Sequence, residues 1–565
     1  MTPLRLRIPA DAGPVRHIAG IAAAALLLRV CAEIEAPWHA LLAVALVPWL
    51  AALDSLSRDR GALVSGLVLC LGFVALVFAW FARAIAGYVG APMAVGWLVL
   101  LVCAPLLEPQ LLVFAWVRVR ARRSLGGEAW PAVAWLCIGA WVACDALWPK
   151  LFADGLGTGL HASRSLRQAA DLASVPGLTF AVLWVNELCW QAWRRARAAG
   201  GLRVGLRSAA PLLAAAAALP ALLHGYGALR LAQLAEAKAD APVRVAVVQA
   251  DIHHYDRMAA LAGTYAATRR ILDTHLAMSR EATAGGEVDW LIWPETVYPV
   301  TFGAPRTPEA ADLDLEIGRL VATQRVPLLF GAYDVEGGRE YNAAFFLMNE
   351  SAPAAGAIPA ASGLTYDVYR KSRLFPFTER LPAFLELGAV RAWLPWAGAW
   401  RAGAGARRID LELADGRVLP VAPLICYDAL DPTLAAASAR AGARVIATLS
   451  NDSWFSVGAG PRLHLVQAAF RSIETRLPQV RSTNTGISAL IDATGEIVRA
   501  TGIHEQAILA GTLHPRAADL RLAGDGGRWL AFALLASCPV AVGLARRTRR
   551  AARGRRRQPL PRARS

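Results

Sequence analysis

Eight apolar segments, each long enough or nearly so to cross a bilayer, constrain this chain more than any other feature. They lie at roughly 17–33, 38–55, 62–83, 91–115, 129–148, 169–193, 208–231 and 527–545. A chain with that many stretches lacking charge must bury them in lipid or in a very large core. Of its 565 residues 56% are hydrophobic and 18% charged, which favours lipid. Mean hydropathy is +0.39. The loops between segments alternate in charge. Arg58 and Arg60 follow the second segment, Arg118, Arg120, Arg122 and Arg123 the fourth, and Arg194, Arg195, Arg197, Arg203 and Arg207 the sixth. The opposite loops carry less base, and the first holds Glu33 and Glu35. Positive-inside reasoning therefore places both termini in the cytoplasm and everything from about 232 to 526 outside. The first segment lacks a small-residue cleavage site and reads as a retained anchor.

The net charge of +16 invites a nucleic-acid reading, but its placement argues against one. Ten arginines and no acid fall in the last twenty residues, directly after an apolar segment, the pattern of a tail held at anionic headgroups. The expected organisation is a membrane domain of seven helices over 1–235, an outer domain over 236–520, and a closing helix with its basic tail over 521–565. The outer stretch differs in character. Short β-branched runs (Val243–Val248, Trp290–Trp293, Val326–Phe330, Val445–Leu449) alternate with helix-like stretches at Asp312–Gln324 and His464–Arg476. That alternation predicts a layered α/β domain, with a Pro- and Ala-rich loop near 351–363.

Cys426 is the one cysteine outside the apolar stretches, so in an oxidising compartment it has no partner within its own domain. It is either a small buried hydrophobe or a nucleophile. Its setting, Pro423-Leu-Ile-Cys-Tyr-Asp428, ends an apolar strand in polar residues, as a strand-to-turn elbow would. Glu295 likewise closes Leu291-Ile-Trp-Pro-Glu295, and Lys371 stands in the extended basic stretch from Tyr369 to Glu379. A carboxylate, an ammonium and a thiol suffice for acyl transfer: base, oxyanion stabiliser and nucleophile. The cation would also lower the thiol pKa. Taken singly, a Glu after a strand is usually a solvated loop residue, a Lys beside two arginines part of a charged face, and a lone Cys on an apolar strand a core residue.

Trp293-Pro-Glu295, Tyr369-x-Lys371 with Leu374-x-Pro-Phe-x-Glu379, and Ile425-Cys-Tyr427 resemble the three catalytic blocks of the nitrilase superfamily, in that family's order. Asn451-Asp-Ser-Trp-Phe455, Gly460-Pro461, His464-Leu465, Arg481–Ile487 and Ile491-Asp492 resemble its apolipoprotein N-acyltransferase branch, as does the segment Ala170–Phe180 with Asn186. The resemblance implies a multi-helix membrane bundle carrying an αββα sandwich. It implies Glu295 as base, Lys371 as oxyanion stabiliser, Cys426 as nucleophile and Glu379 as the carboxylate that orients Lys371. Tyr427, Asp428, Trp454 and Phe455 would support the site, the aromatic pair as a lid or as a packed corner. The implied reaction moves an acyl chain from a phospholipid, phosphatidylethanolamine foremost, through a Cys426 thioester. The acceptor is the α-amine of a diacylglyceryl-modified lipoprotein cysteine. No cofactor is implied, and the setting is a monomer in a bacterial inner membrane with its catalytic domain in the periplasm.

Some positions depart from the family pattern. Asp428 replaces a Glu, Ala250 and Asp251 replace Gly and Asn, Met258 replaces a Trp, and Thr378 and Ser456 replace glycines. The loop Asp154–His161 also differs. These departures touch substrate choice and leave room for a relative that acylates another amine, or for a membrane-anchored amidase using the same triad. A transporter or scaffold is disfavoured because Glu108 and Asp145 stand near segment ends rather than along a path. His161, His253, His254 and His464 are scattered, and the adjacent pair cannot chelate as a structural zinc site does, so no metal is expected.

Overall fold

The computed structural model describes residues 13–33, 37–199, 201–253, 255–349, 356–357, 363–455, 458–522 and 524–557. Glu35, His254, Ser456, most of the loop at 351–363 and the tail beyond 557 lie outside them. A bundle of apolar helices packs against a layered α/β domain, and the last helix, Gly526–Arg557, returns to the bundle along Trp130–Leu147.

Among the described residues six helices are long and apolar enough to cross a membrane, or seven if the bent pair Met93–Leu107 with Pro109–Leu125 is one span. That count is roughly consistent with the expected eight or so. The stretch Trp38–Asp54 is only 17 residues and is broken between Ala43 and Val47. Pro48 withholds one backbone N–H there, and buried Asn186 serves the exposed groups: its Oδ1 accepts from Leu46 N (2.8 Å) and its Nδ2 donates to Leu42 O (2.6 Å). The 49° bend at Glu108 has a similar cause, since Pro109 disfavours helical geometry in the residue before it. Glu108 and Asp145 are both paired with Lys150, at 3.3 and 3.6 Å. The predicted 62–83 segment also divides: one helix ends at Val77 and another, Ala79–Val89, turns toward the α/β domain.

The α/β domain holds two sheets face to face. One has the order 507–513, 243–249, 290–292, 328–336, 339–349, 364–370, 356–357; the other runs 497–500, 489–491, 479–483, 445–450, 418–425, 409–412. Period-two alternation explains the layers. Val243, Val245 and Val247 point into the space between sheets, against Val421, Ile425, Val445 and Leu449. Ala246 and Val248 point the other way, onto the helices Thr264–Thr283 and Pro308–Gln324. On the second sheet Ala422, Leu424 and Ile446 face the helices Pro432–Arg440 and Ala459–Thr475. Four layers, helix–sheet–sheet–helix, follow from strands buried on both faces.

The two parts are joined by a buried ion-pair cluster. Asp171, at the start of the helix Ala170–Ala198, receives Arg476 at 2.6 Å, Arg230 at 2.8 Å and the Tyr226 hydroxyl at 2.7 Å. Asp171 and Arg476 are fully buried. Removing the carboxylate strands a cation in the interface, so Asp171→Ala should lower stability by about 3–5 kcal/mol. Thermal unfolding in detergent will read this; an unchanged transition would mean that the cluster does not hold the domains together.

Candidate active site

Parallel strands end together, and their carboxyl ends assemble the site. Strand Trp290–Ile292 delivers Glu295 three residues past its end, through Pro294 and ahead of Thr296 at φ 53°. The neighbouring strand Leu328–Glu336 passes so close behind that a Cβ on Gly331 would lie 2.3 Å from Thr296 N and 2.6 Å from Glu295 Cα. Only glycine allows that approach. Strand Val418–Ile425 ends at Cys426, whose φ of 48° turns the chain sharply into a short 3₁₀ turn. A non-glycine residue held there is strained, the condition expected of an elbow that presents its side chain.

Lys371 Nζ donates to Glu379 Oε1 (2.7 Å) and to Glu295 Oε1 (3.1 Å), and is itself only 2% exposed. Glu295 is further held by Asn342 Nδ2 at Oε1 (2.7 Å) and by the Asn451 N–H at Oε2 (2.8 Å). Glu379 accepts Phe375 N at Oε2 (2.6 Å) and Asn342 Nδ2 at 3.3 Å. The arrangement is one ammonium between two carboxylates, away from water, which holds Lys371 charged well above its ordinary pKa despite burial. The Cys426 thiol, 6% exposed, lies within electrostatic reach of all three. Burial and the Glu295 carboxylate push its pKa well up, and Lys371 only partly offsets them. Lys371 does lower the thiol pKa, as the sequence leads one to expect, but burial and Glu295 reverse the net direction, so the resting group is a thiol.

Alkylation tests that reversal. Iodoacetamide should modify Cys426 slowly at pH 7 and faster only in alkali. Glu295→Gln should speed labelling at pH 8 by removing one charge that opposes the thiolate. Rapid labelling of the unaltered protein at pH 7 would contradict the buried-thiol account.

Asp428 is fully buried and faces away from any opening. It accepts from Tyr369 Oη (2.9 Å), Arg373 N (2.6 Å), Ser372 N (3.2 Å) and Ile425 N (3.1 Å), fastening the Lys371 loop to the Cys426 turn. Tyr427 lines the thiol's cleft, and its hydroxyl donates to Leu151 O of the membrane domain at 2.8 Å. Trp454 and Phe455 stack at 4.0 Å as a packed aromatic corner: Phe375 meets Trp454 at 4.9 Å, and Trp80 meets Phe455 at 5.3 Å. The cleft at Cys426 has a volume of about 20 Å³, and Trp80 and Phe152 of the membrane domain form part of its wall. Trp80 and Leu463 also wall a larger cavity of about 330 Å³ that runs between Leu28, Leu76, Val77 and Trp141 of the bundle.

Two residues to which sequence reasoning assigned no role at the site sit in this machinery. Asn342 binds both carboxylates, and its one signal was a lone amide in the otherwise apolar run Tyr341–Met348. His464, set aside with the scattered histidines, is buried, and its Nε2 donates to the Cys426 carbonyl at 3.2 Å. Its Nδ1 lies 3.1 Å from Arg481 Nη2 and 3.2 Å from Asp452 Oδ1, and that guanidinium pairs with Asp452 at 2.9 Å. Burial and that guanidinium hold the imidazole below its ordinary pKa, so it is a neutral donor pinning the strained turn. His464→Ala should slow thioester formation about 10–100-fold by releasing the turn. His464→Gln, which keeps an N–H at the same reach, should recover most of the rate with an unchanged pH profile. Equal losses in both variants would remove His464 from this positioning role.

Residues 244–521 match the carbon-nitrogen hydrolase family, and residues 23–188 match the apolipoprotein N-acyltransferase N-terminal domain. The chain belongs to the apolipoprotein N-acyltransferase family. An apolipoprotein N-acyltransferase of Bdellovibrio bacteriovorus is 27% identical over 473 residues, 81% of each chain. One from Geobacter metallireducens is 28% identical over 399 residues, 69% of each. Among solved structures, Saccharomyces cerevisiae Nit3, a member of branch 10 of the nitrilase superfamily, is 19% identical, covering 50% of this chain and 94% of its own, with a TM-score of 0.35. The two matched regions of this apolipoprotein N-acyltransferase family member meet at the site, where the hydrolase part supplies Cys426 and the N-terminal part supplies Trp80 and Phe152.

Proposed function

We propose that this protein transfers an acyl chain from a membrane phospholipid to the α-amine of a diacylglyceryl-modified cysteine at a lipoprotein's N-terminus. The observation that carries the reading is the wall of the Cys426 cleft, which is built partly from membrane-domain residues. A thiol serving soluble amides has no use for that wall; one serving lipid esters does.

Glu295 takes the Cys426 proton as Sγ attacks the ester carbonyl carbon of the donor. Lys371, 3.1 Å from Glu295, lends its ammonium to the oxyanion, and Glu379 holds that ammonium in place. The intermediate collapses by breaking the carbonyl carbon–glycerol oxygen bond. The departing oxygen takes the proton from Glu295, leaving lysophospholipid and a thioester. The acceptor amine then attacks the thioester carbonyl and gives a proton to Glu295, and the expelled thiolate recovers it. Because the resting thiol is protonated, proton removal accompanies attack, and an empty site stays unreactive. The aromatic wall excludes water that would hydrolyse the thioester. The neighbouring 330 Å³ cavity is walled by apolar Leu28, Leu76, Val77 and Trp141 together with charged Arg29, Glu33 and Arg462, a mixed lining suited to a phospholipid, and movement of Trp80 would join it to the thiol. The loop charges support a cytoplasmic position for both termini and a periplasmic α/β domain; the family resemblance suggests phosphatidylethanolamine as the donor.

The test supplies detergent-solubilised protein with phosphatidylethanolamine labelled in one acyl chain and a diacylglyceryl-cysteinyl peptide. Label should appear in amide linkage on the peptide, with lysophospholipid in equal amount. Label released as free fatty acid, with none on the peptide, would favour hydrolysis. Label moving only to a different amine would make this a relative with another acceptor.

A further inference from the structure

The fold brings together three side chains that the sequence keeps far apart. Asp251 and His253 follow strand Val243–Gln249, and His504 lies in the turn between strands Ile497–Ala500 and Ala507–Leu513. His253 Nε2 is 2.8 Å from Asp251 Oδ1, and His504 Nδ1 is 3.8 Å from the same oxygen. The two imidazole rings stand 4.8 Å apart, and the three ligand atoms all lie within 4.8 Å of one another. We propose that Asp251, His253 and His504 form a binding site for one divalent transition-metal ion of zinc's type.

The donor set selects the ion. Two imidazoles and one carboxylate suit zinc, whereas calcium and magnesium ask for oxygen donors. Four-coordinate zinc separates its ligand atoms by about 3.4 Å, so the Asp–His distances already bracket the requirement and the histidines must close by roughly 1 Å. Their partial exposure permits that adjustment and leaves a fourth position for water. The backbone on both sides is already held. Asp251 N donates to Asn484 O (3.1 Å), Ile252 N to Asn484 Oδ1 (3.0 Å), and His504 N to Thr485 O (2.9 Å). Asp251 and His504 both sit at positive φ, 53° and 56°, turning two loops toward one point.

The place suggests what an ion would do. Strand Val243–Gln249 runs parallel to Trp290–Ile292, the strand that leads to Glu295, so the cluster lies at the same edge of the sheet, one strand over. A bound ion would tie the loop after Val243–Gln249 to the 501–506 turn beside the active-site edge. It would brace the scaffold there and take no part in acyl transfer.

The test uses the full-length, untagged chain in detergent, dialysed against zinc sulfate at pH 7.5, with bound metal measured by elemental analysis. One zinc per chain is expected, held at roughly micromolar free zinc. Zinc should raise the thermal midpoint, and cobalt substitution should give visible bands of tetrahedral type. His504→Ala should keep its acyl transfer activity, which shows it folded, and lose both the zinc and the thermal shift. Zinc retained in full by His504→Ala, or no zinc on the unaltered protein, would overturn the proposal.

Discussion

Cys426→Ala, incubated with phosphatidylethanolamine, should gain no acyl mass, while the unaltered protein gains one hydroxylamine-labile chain by intact mass spectrometry. Transfer to a lipopeptide should fall by at least about a thousandfold, because the substitution removes the nucleophile that carries the acyl group in the proposed mechanism. The seven other cysteines lie in or at the edges of the apolar segments. Stability should barely change. The substitution removes one sulfur from a site already 6% exposed and keeps the same Cβ at φ 48°. An intact thermal transition with no adduct isolates chemistry from folding. An adduct that persists in Cys426→Ala would move the nucleophile elsewhere and sink the proposed mechanism.

Lys371→Met should be costly in two ways at once. The ammonium separates Glu295 and Glu379, whose oxygens lie 3.1 and 2.7 Å from Nζ. Without it, two buried carboxylates face each other across Asn342. Such a pair cannot remain doubly ionised, so one takes a proton and the base is compromised along with the oxyanion stabiliser. Thioester formation should drop by about 10²–10³-fold or more. Stability should fall by about 3–5 kcal/mol at neutral pH. The sign of the pH dependence follows. In the unaltered protein Lys371 has a folded pKa above its ordinary value, so its contribution is complete at neutral pH and fades only in strong alkali. In the variant a carboxyl pKa is raised on folding, so the penalty is absent in acid and grows as pH rises past the ordinary carboxylate range. The gap between the two melting temperatures should therefore narrow from pH 8 to pH 5. A gap independent of pH would mean that Lys371 acts through packing rather than charge.

The chemistry was legible because its residues end apolar runs. Glu295 and Cys426 interrupt strands at the one point where a polar side chain is useful, and the blocks around them are specific in combination. His464 and Asn342 were not legible in the same way. Each is a polar residue inside an amphipathic or apolar element, and its partner is a backbone carbonyl or a distant carboxylate that no local spacing announces. The loop arginines and apolar lengths pointed to the membrane domain and to roughly its number of spans, though not to the break within Trp38–Asp54. Length alone does not register a proline that breaks a short helix, or an asparagine from another helix that makes the break tolerable.

What the sequence by itself determined is the part governed by composition and local period. Apolar stretches, strands apolar on both faces, and the short blocks around Glu295, Lys371 and Cys426 are each read within a few residues of chain, and the order of those blocks is read along it. Tertiary structure decided everything that depends on long-range approach. It set Lys371 between two carboxylates, reversed the direction of the Cys426 pKa shift, put membrane aromatics in the wall of a hydrolase-like cleft, and carried His504 to His253. The physical reason is that desolvation and Coulomb energy depend on distances in space, and a chain's spacing in sequence does not encode them.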